Sequence, residues 1–368
     1  MTMGLVLCLG TSACQPKSEP SDNEASQAQS TETPMIQTPK KPLESSESKM
    51  AVTAQTCLAL NKAMEKIDDT SKIEAIYAVQ KQLKACLPTA SNAEVMALLK
   101  SYQTMYNRFL WDDSDTIGEE FNNDFFDVMS ALEQHEKVPV ESLKKMSPRV
   151  RYLIGLIQND ADVRVYNLGE GYYAFSHNLK TMADIFTPYL RQDQSKFIQR
   201  MAIDNQDTFW SDASVTVSFE ELIERALFWE NYIQQYPDGY KIKDAKYLLD
   251  FYRYIIFFGA ENTQWTDDAI REFIMPEDEQ MIQRLSKHPS SVLAKDSQNF
   301  LRFLALSDSE RQQKYPAPST DEEGREVGNW AIARYQLDKA LQIPSIWDEI
   351  ENKDCFNGLF CMDENKLW

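Results

Sequence analysis

Helical spacing of apolar residues limits the fold of this chain more than any other feature of its sequence. After Met50, apolar residues recur every three or four positions, and one such stripe is Val95, Leu98, Leu99, Tyr102, Met105, Tyr106 and Phe109. A serine followed three residues later by glutamate marks a helix start before several stripes, at Ser71, Ser91 and Ser218. Only 11 glycines occur in 368 residues, which disfavours sandwiches and barrels with many tight turns. The sequence therefore predicts an all-α fold.

One segment departs from this helical spacing. Between Val163 and Phe175, β-branched and aromatic residues flank the sequence Gly-Glu-Gly at 169–171, a pattern typical of a β-hairpin. We therefore expect one continuous domain over residues 51–368, built of helical hairpins stacked side by side, with one small β-hairpin inserted.

The first fourteen residues, MTMGLVLCLGTSAC, contain a short apolar run and then small residues before Cys14. This segment resembles the lipobox of bacterial lipoproteins, in which a peptidase cuts before the cysteine and its thiol receives acyl chains such as palmitate. The resemblance implies that residues 1–14 are a signal segment and that Cys14 carries the lipid anchor. Gln15, rather than Asp, implies an outer-membrane location, facing the periplasm or the cell surface.

Residues 15–50 contain five prolines, many Ser, Thr, Gln and Glu residues, and almost no large apolar side chains. Such a segment cannot bury enough apolar surface to offset the entropy lost on ordering. We therefore predict a disordered linker that holds the helical domain away from the membrane.

The formal net charge of the chain is −19. A field of this sign repels nucleic-acid phosphates and anionic membrane surfaces. We therefore expect no nucleic-acid partner, and contact with the membrane only through the lipid. A protein of the envelope or a component of the cell wall is the expected partner.

Four of the six cysteines lie outside the signal segment and form two local pairs: Cys57 with Cys86, and Cys355 with Cys361. In an oxidising periplasm these pairs predict two disulfides, and free buried thiols are the alternative. A metal site at these cysteines is not expected, because no CxxC motif occurs and the three histidines are distant in sequence.

An acidic stretch partly matches a calcium-binding loop. Asp113, Asp115, Gly118 and Asp124 occupy appropriate positions, but Ile117 stands where an oxygen ligand is needed. We interpret the stretch as a solvated acidic turn before a helix, and we predict no metal and no cofactor.

The predicted hairpin and its flanks supply six candidate binding residues: Tyr166, Glu170, Tyr172, Tyr173, Phe175 and His177. Tyrosine offers a large contact surface at low entropic cost, so these side chains could line a binding groove. The alternative is that they pack against neighbouring helices.

The second half of the chain contains a repeat. Pro237 and Pro289 are 52 residues apart, each separates two predicted helices, and the Lys-Asp pair at 243–244 recurs at 295–296. The segment FWENYIQQYPDGYKIKDAKYLLDFY resembles the tetratricopeptide-like helical hairpins of bacterial envelope lipoproteins. The resemblance implies an irregular stack of hairpins and an assembly or adaptor role. The repeat also predicts equivalent buried sites for Leu249 and Leu301.

A second resemblance is to lytic transglycosylases, through Glu141-Ser142 and the later Gly-Leu-Ile-Gln at 155–158. It implies a cell-wall-active enzyme in which Glu141 protonates a glycosidic oxygen. An ordinary helix start explains the same residues, and no GxSxG, GxxxxGK[ST] or HExxH motif occurs. A non-enzymatic binding or adaptor function is therefore the first hypothesis, and the transglycosylase-like enzyme is the alternative.

Overall fold

The computed structural model of this protein describes residues 57, 59–110, 123–169, 171–207 and 209–346. Several predictions lie outside these residues: the signal segment 1–14 with Cys14, the linker 15–50, the pair Cys355 and Cys361, and most of the acidic stretch 111–124. Within the described ranges the chain is mostly helical, with two small antiparallel strand pairs. The predicted all-α class is confirmed.

Residues 59–64 form the first described helix, α1. The following helices are α2 (Ile73–Cys86), α3 (Asn92–Phe109), α4 (Asn123–Glu133), α5 (Val140–Leu143), α6 (Pro148–Gln158), α7 (Lys180–Phe186), α8 (Gln192–Asp204), α9 (Phe219–Gln235), α10 (Ile242–Phe258), α11 (Pro276–Leu285), α12 (Val292–Leu304), α13 (Asp308–Lys314) and α14 (Asn329–Leu341). The strands are β1 (Val163–Gly169), β2 (Tyr172–His177), β3 (Trp210–Ser211) and β4 (Ser214–Val215).

Side-chain caps explain where two of the predicted helices begin. The Ser91 hydroxyl accepts a hydrogen bond from the backbone of Glu94, whose carboxylate accepts one from the Ser91 backbone. Ser218 likewise accepts from the backbone of Glu221 at the start of α9. The capping box predicted at Ser71 is wrong, because the Ser71 hydroxyl instead bonds to Asp68 and α2 begins after Lys72.

The β-hairpin lies where the sequence predicts it. Strands β1 and β2 pair antiparallel, with Val163 opposite His177 and Tyr166 opposite Ala174, and the register shifts between Asn167 and Gly169. The hairpin packs against α3 and α6, so it forms part of the core of the first half of the domain.

In the second half of the domain, α9 packs against α10, α11 packs against α12, and the two helical hairpins contact each other through α9–α11 and α10–α12. The two units differ in length, because α9 has 17 residues and α11 has 10. Leu248 and Phe300 are both buried, as the repeat predicts. The predicted equivalence of Leu249 and Leu301 is wrong in part, since Leu249 is buried and Leu301 only half-buried.

A disulfide joins Cys57 to Cys86, whose Cα atoms are 5.6 Å apart. It links the chain just before α1 to the last residue of α2, and this predicted pairing is confirmed. Among the described residues no helix is both long and apolar enough to span a bilayer.

Candidate functional site

A cleft of about 640 Å³ opens between the β3–β4 pair, the end of α10 and the start of α14. Its aromatic lining consists of Trp210, Tyr254, Phe258 and Trp330, and Arg334 supplies a cation. Glu261 and Gln264 add polar groups from the segment after α10. Clefts that hold organic ligands span about 300–1,000 Å³, so this volume suits a small molecule or a short peptide segment.

The α10 wall of the cleft follows from the helical spacing of the sequence. Tyr254 and Phe258 are four residues apart and therefore lie on one face, with ring centres 4.7 Å apart. Both side chains are 8% exposed, because α10 is packed between α9 and α12. This wall is consequently a fixed aromatic surface.

Gly259 ends α10 and turns the chain across the cleft. Its φ angle is +69°, a region that suits glycine, and a Cβ atom at this position would collide with the carbonyl oxygen of Thr263. The turn that follows closes with a hydrogen bond of 2.7 Å from the backbone of Ala260 to the carbonyl of Thr263. Only glycine fits here without displacing the turn.

Hydrogen bonds attach this turn to the β3–β4 pair. The Asn262 side chain donates to the carbonyl oxygen of Asp212 at 2.7 Å, and the backbone of Val215 donates to the Thr263 hydroxyl at 2.9 Å. Trp210, in β3, packs edge-to-face against Phe251 of α10. The indole that forms one side of the cleft is therefore held by both its strand and the helix beneath it.

The first part of α14 supplies the remaining aromatic side chain and the cation of the cleft. Trp330 is 48% exposed, although it is a large apolar side chain. Arg334 lies one turn later, with its guanidinium 4.3 Å from the centre of the Phe258 ring. Its Nη1 donates to the carbonyl oxygen of Phe258 and its Nη2 to the Tyr254 hydroxyl at 2.8 Å. The arginine thus caps the carboxyl end of α10, where a positive charge is favourable.

The charges in the cleft are separated rather than paired with each other. Within the part of the chain that the structure describes, no carboxylate lies within 4.0 Å of the Arg334 guanidinium. Glu261 is exposed. The cleft therefore offers a ligand aromatic faces, one guanidinium and one solvated carboxylate.

Of the six residues predicted at the β-hairpin, the four whose side chains the structure describes do not line this cleft. Tyr166, Tyr173, Phe175 and His177 are between 2% and 6% exposed, so these four side chains pack in the core, which is the alternative that the sequence left open. The side chains of the other two, Glu170 and Tyr172, lie outside the described residues. With so little exposed surface, these four side chains offer a ligand little to contact.

His177 belongs to a buried polar cluster between the hairpin and the helices. Its ring stacks on Tyr106 with centres 3.6 Å apart, and burial lowers the His177 pKa to about 3, so the imidazole is neutral at pH 7. Nearby, Asp162 accepts hydrogen bonds from Gln80 at 2.6 Å, from Tyr106 at 3.0 Å and from Thr181. Because Gln80, Tyr106, Asp162 and His177 are buried, we assign this cluster a role in joining α2, α3, α7 and the β-hairpin.

A second buried polar group joins α8 to α9. Asp204 is 2% exposed and pairs with Arg200 at 2.8 Å and with Arg225 at 3.5 Å. Burial raises the Asp204 pKa, and the two arginines act in the opposite direction. Arg225 also donates to Glu221 at 2.9 Å, one turn earlier on α9. A buried charge costs less when it is paired, and this pairing explains how Arg225 is accommodated in the core.

Glu141, the candidate general acid, lies on the surface in α5. Its side chain is 83% exposed and pairs with the exposed Lys144. A general acid at neutral pH needs an enclosed site that raises the carboxyl pKa. The position of Glu141 offers no such enclosure.

No group of three His, Cys, Asp or Glu side chains in the described ranges could hold a metal ion. Asp124, the last position of the partial calcium match, instead accepts hydrogen bonds from Lys145 and Ser142.

Comparisons of this chain with protein-family models, with curated proteins and with solved structures find no significant match.

Sequence reasoning missed this cleft for a physical reason. Trp210, Tyr254 and Trp330 come from three separate elements, and no local spacing relates them. One local feature of the sequence could have indicated the cleft. Trp330 directly follows the polar stretch DEEGREVGN, where a buried apolar residue is not expected.

Proposed function

We propose that this protein is a lipid-anchored envelope protein whose helical domain binds a ligand in the aromatic cleft and does not catalyse a reaction. The observation that carries the proposal is the convergence of Trp210, Tyr254, Phe258, Trp330 and Arg334 on one open cleft.

Exposure of the cleft to water supports binding. A half-exposed tryptophan beside further aromatic rings leaves apolar surface hydrated, and covering that surface with a ligand is favourable. Tryptophan, tyrosine and arginine are also the residues that most often dominate binding energy at interfaces.

Rigidity of the cleft supports the same conclusion. The α10 wall is a buried helix, the turn after Gly259 is hydrogen-bonded to the β3–β4 pair, and Arg334 ties α14 to α10. A site that is formed before its ligand arrives spends less binding energy on ordering side chains.

The chemistry of the lining favours binding over catalysis. Among the described residues that line the cleft, Glu261 is the single carboxylate, and neither histidine nor cysteine is present. Nucleophilic catalysis needs a nucleophile beside a base, and glycoside hydrolysis generally needs two acidic groups that flank the bond. Glu261 is exposed and has no such neighbour in the lining.

The location and adaptor role come from the sequence. The lipobox-like segment ending at Cys14 and the linker 15–50 would place the domain at the outer membrane. The tetratricopeptide-like hairpins α9–α10 and α11–α12 would serve as the scaffold on which the cleft is built. The proposed ligand is therefore a component of the envelope, either a protein segment or a piece of the cell wall.

Two comparisons test this proposal. Replacing Cys14 by Ser should abolish palmitate labelling and remove the protein from the membrane fraction; labelling that persists would contradict the lipid anchor. To test the cleft, three full-length proteins should be crosslinked in intact envelopes and then captured: the wild type, Trp330→Ala and Tyr335→Ala.

Tyr335 is the matched control, because it is also on α14 and 40% exposed but does not line the cleft. We expect Trp330→Ala to lose a crosslinked species that Tyr335→Ala retains. Identical crosslinked species in all three proteins would overturn the assignment of the cleft as the binding site.

A further inference from the structure

We infer that the ligand of the aromatic cleft carries a carboxylate next to a flat ring, and that Arg334 recognises the carboxylate. The inference rests on the proposed binding function and adds the chemical class of the ligand.

Arg334 is held in a fixed orientation but retains unused hydrogen-bonding capacity. Its guanidinium lies against the Phe258 ring and makes one bond through Nη1 and one through Nη2. A guanidinium carries five N–H donors, and a carboxylate accepts two of them side by side. No carboxylate of the described residues lies within 4.0 Å of the Arg334 guanidinium, so a carboxylate of a ligand can accept its remaining N–H groups.

Another arginine of this chain shows what purely structural capping looks like. Arg311 donates to the carbonyl oxygens of Ala269 and Ile270, and it is 2% exposed. Its donors face the interior of the protein. Arg334 also caps carbonyls, but it is half-buried and lines an open cleft, so a ligand can reach its guanidinium.

The rings of the cleft define the second part of the ligand. Trp210 of β3 and Trp330 of α14 line the cleft, and the Tyr254 and Phe258 rings lie between α10 and Arg334. Flat aromatic faces stack best against a flat partner. A ring that carries a carboxylate on a short chain would place its anion at Arg334 and its ring at the tryptophans.

The negative charge of the chain opposes an anionic ligand, so the proposed carboxylate depends on Arg334. The chain carries a net charge of −19, which repels anions, so an anionic ligand needs a specific cation at its binding site. Glu261 lies in the same cleft and opposes an anion. Neutralising Glu261 should therefore strengthen the binding of a carboxylate and leave a neutral analogue unaffected.

Three probes that share an indole-3-ethyl group test the inference by equilibrium dialysis against the full chain: indole-3-propionate, its neutral isostere indole-3-propionamide, and the smaller cation tryptamine. We expect the propionate to bind about tenfold more tightly than the amide, with tryptamine weakest. Glu261→Gln should raise the propionate-to-amide preference.

Arg334→Gln should bring that preference close to one, and Arg334→Lys should restore part of it. This ratio separates recognition from structure, because loss of the α10 cap alone would weaken both probes equally. Trp330→Ala should weaken both probes, whereas Tyr335→Ala should weaken neither.

The wild type could instead bind the propionate and the amide equally, with both lost in Trp330→Ala. That result would overturn the carboxylate inference and leave the binding function in place. If none of the three probes shows binding that depends on Trp330, the proposed ligand class is wrong. The binding function itself would then be decided by the crosslinking comparison in intact envelopes.

Discussion

The guanidinium of Arg334 lies 4.3 Å from the centre of the Phe258 ring and donates a hydrogen bond to the carbonyl oxygen of the same residue. One side chain thus ties α14 to the carboxyl end of α10 inside the cleft. The geometry of the candidate site consequently depends on a side-chain link between two helices with 70 residues of sequence between them.

Removing this link should destabilise the domain. Arg334→Ala leaves the Phe258 carbonyl and the Tyr254 hydroxyl without their donor and removes the cation from the Phe258 ring. We expect a loss of about 1–3 kcal/mol in the free energy of unfolding, measured by denaturant melts. Lys339→Ala, an exposed change on the same helix, should stay within about 0.5 kcal/mol of wild type. Equal stabilities of the two variants would show that the link contributes nothing.

Two glycines provide a matched test of the turn that closes the cleft. Gly259→Ala should cost more than about 1 kcal/mol, because φ is +69° and the added Cβ meets the Thr263 carbonyl. Gly155→Ala, inside α6, adds a Cβ that meets no atom within 4 Å, and it should stabilise by about 0.5–1 kcal/mol. Thermal melts distinguish the two. A neutral Gly259→Ala would mean that the turn after α10 is not fixed as described.

Leucines 52 residues apart test the limits of the internal repeat. Leu249 is 9% exposed in α10, and Leu301 is half-buried in α12. Leu249→Ala should cost about 2–4 kcal/mol, and Leu301→Ala about 1 kcal/mol. The exposed Lys243 and Lys295 should tolerate alanine within about 0.5 kcal/mol. Equal costs for the two leucines would instead support the strict equivalence that the sequence repeat predicts.

His177 makes the stability of the fold depend on pH. Burial holds its pKa at about 3 in the folded chain, well below the ordinary histidine value of 6.5. Below pH 6.5 the unfolded chain therefore binds a proton at His177 that the folded chain does not bind. The stability that comes from burying neutral His177 is complete above pH 6.5 and is lost as the pH falls. The loss amounts to about 1.4 kcal/mol for each pH unit down to pH 3.

His177→Phe is the variant that isolates this effect. It keeps an aromatic ring against Tyr106, and the Nε2 atom that it removes has no hydrogen-bond partner among the described residues. Unfolding free energies measured from pH 7 to pH 4 should fall less steeply for the variant than for wild type. Parallel pH profiles would show that His177 titrates normally.

Much of the fold could be predicted from the sequence because its causes are local. The stripe from Val95 to Phe109 and the Ser91 cap define α3, and β-branched and aromatic residues on both sides of the Gly-Glu-Gly sequence define the hairpin. Ser71 shows how a local pattern can mislead, since Asp68 competes successfully for its hydroxyl.

The candidate site could not be predicted because its causes are not local. The hairpin tyrosines and His177 have the composition of a binding surface, but His177 packs against α3 and Tyr173 against α4. Tyr166 is also buried, and its hydroxyl accepts a hydrogen bond from Asn205. Conversely, Trp210 and Trp330 are 120 residues apart and share a cleft only because α10 lies between their elements. Nothing in the spacing of either tryptophan reveals the other.

Site-specific photo-crosslinking tests the central claim most directly. The photoreactive residue p-benzoylphenylalanine should be placed at position 330, inside the cleft, and separately at position 335, on the same helix but outside it. The full chain should then be irradiated in intact envelopes. If the cleft is the binding site, position 330 gives a discrete crosslinked product, and position 335 does not. A product at position 335 alone, or the same product at both positions, would contradict the account.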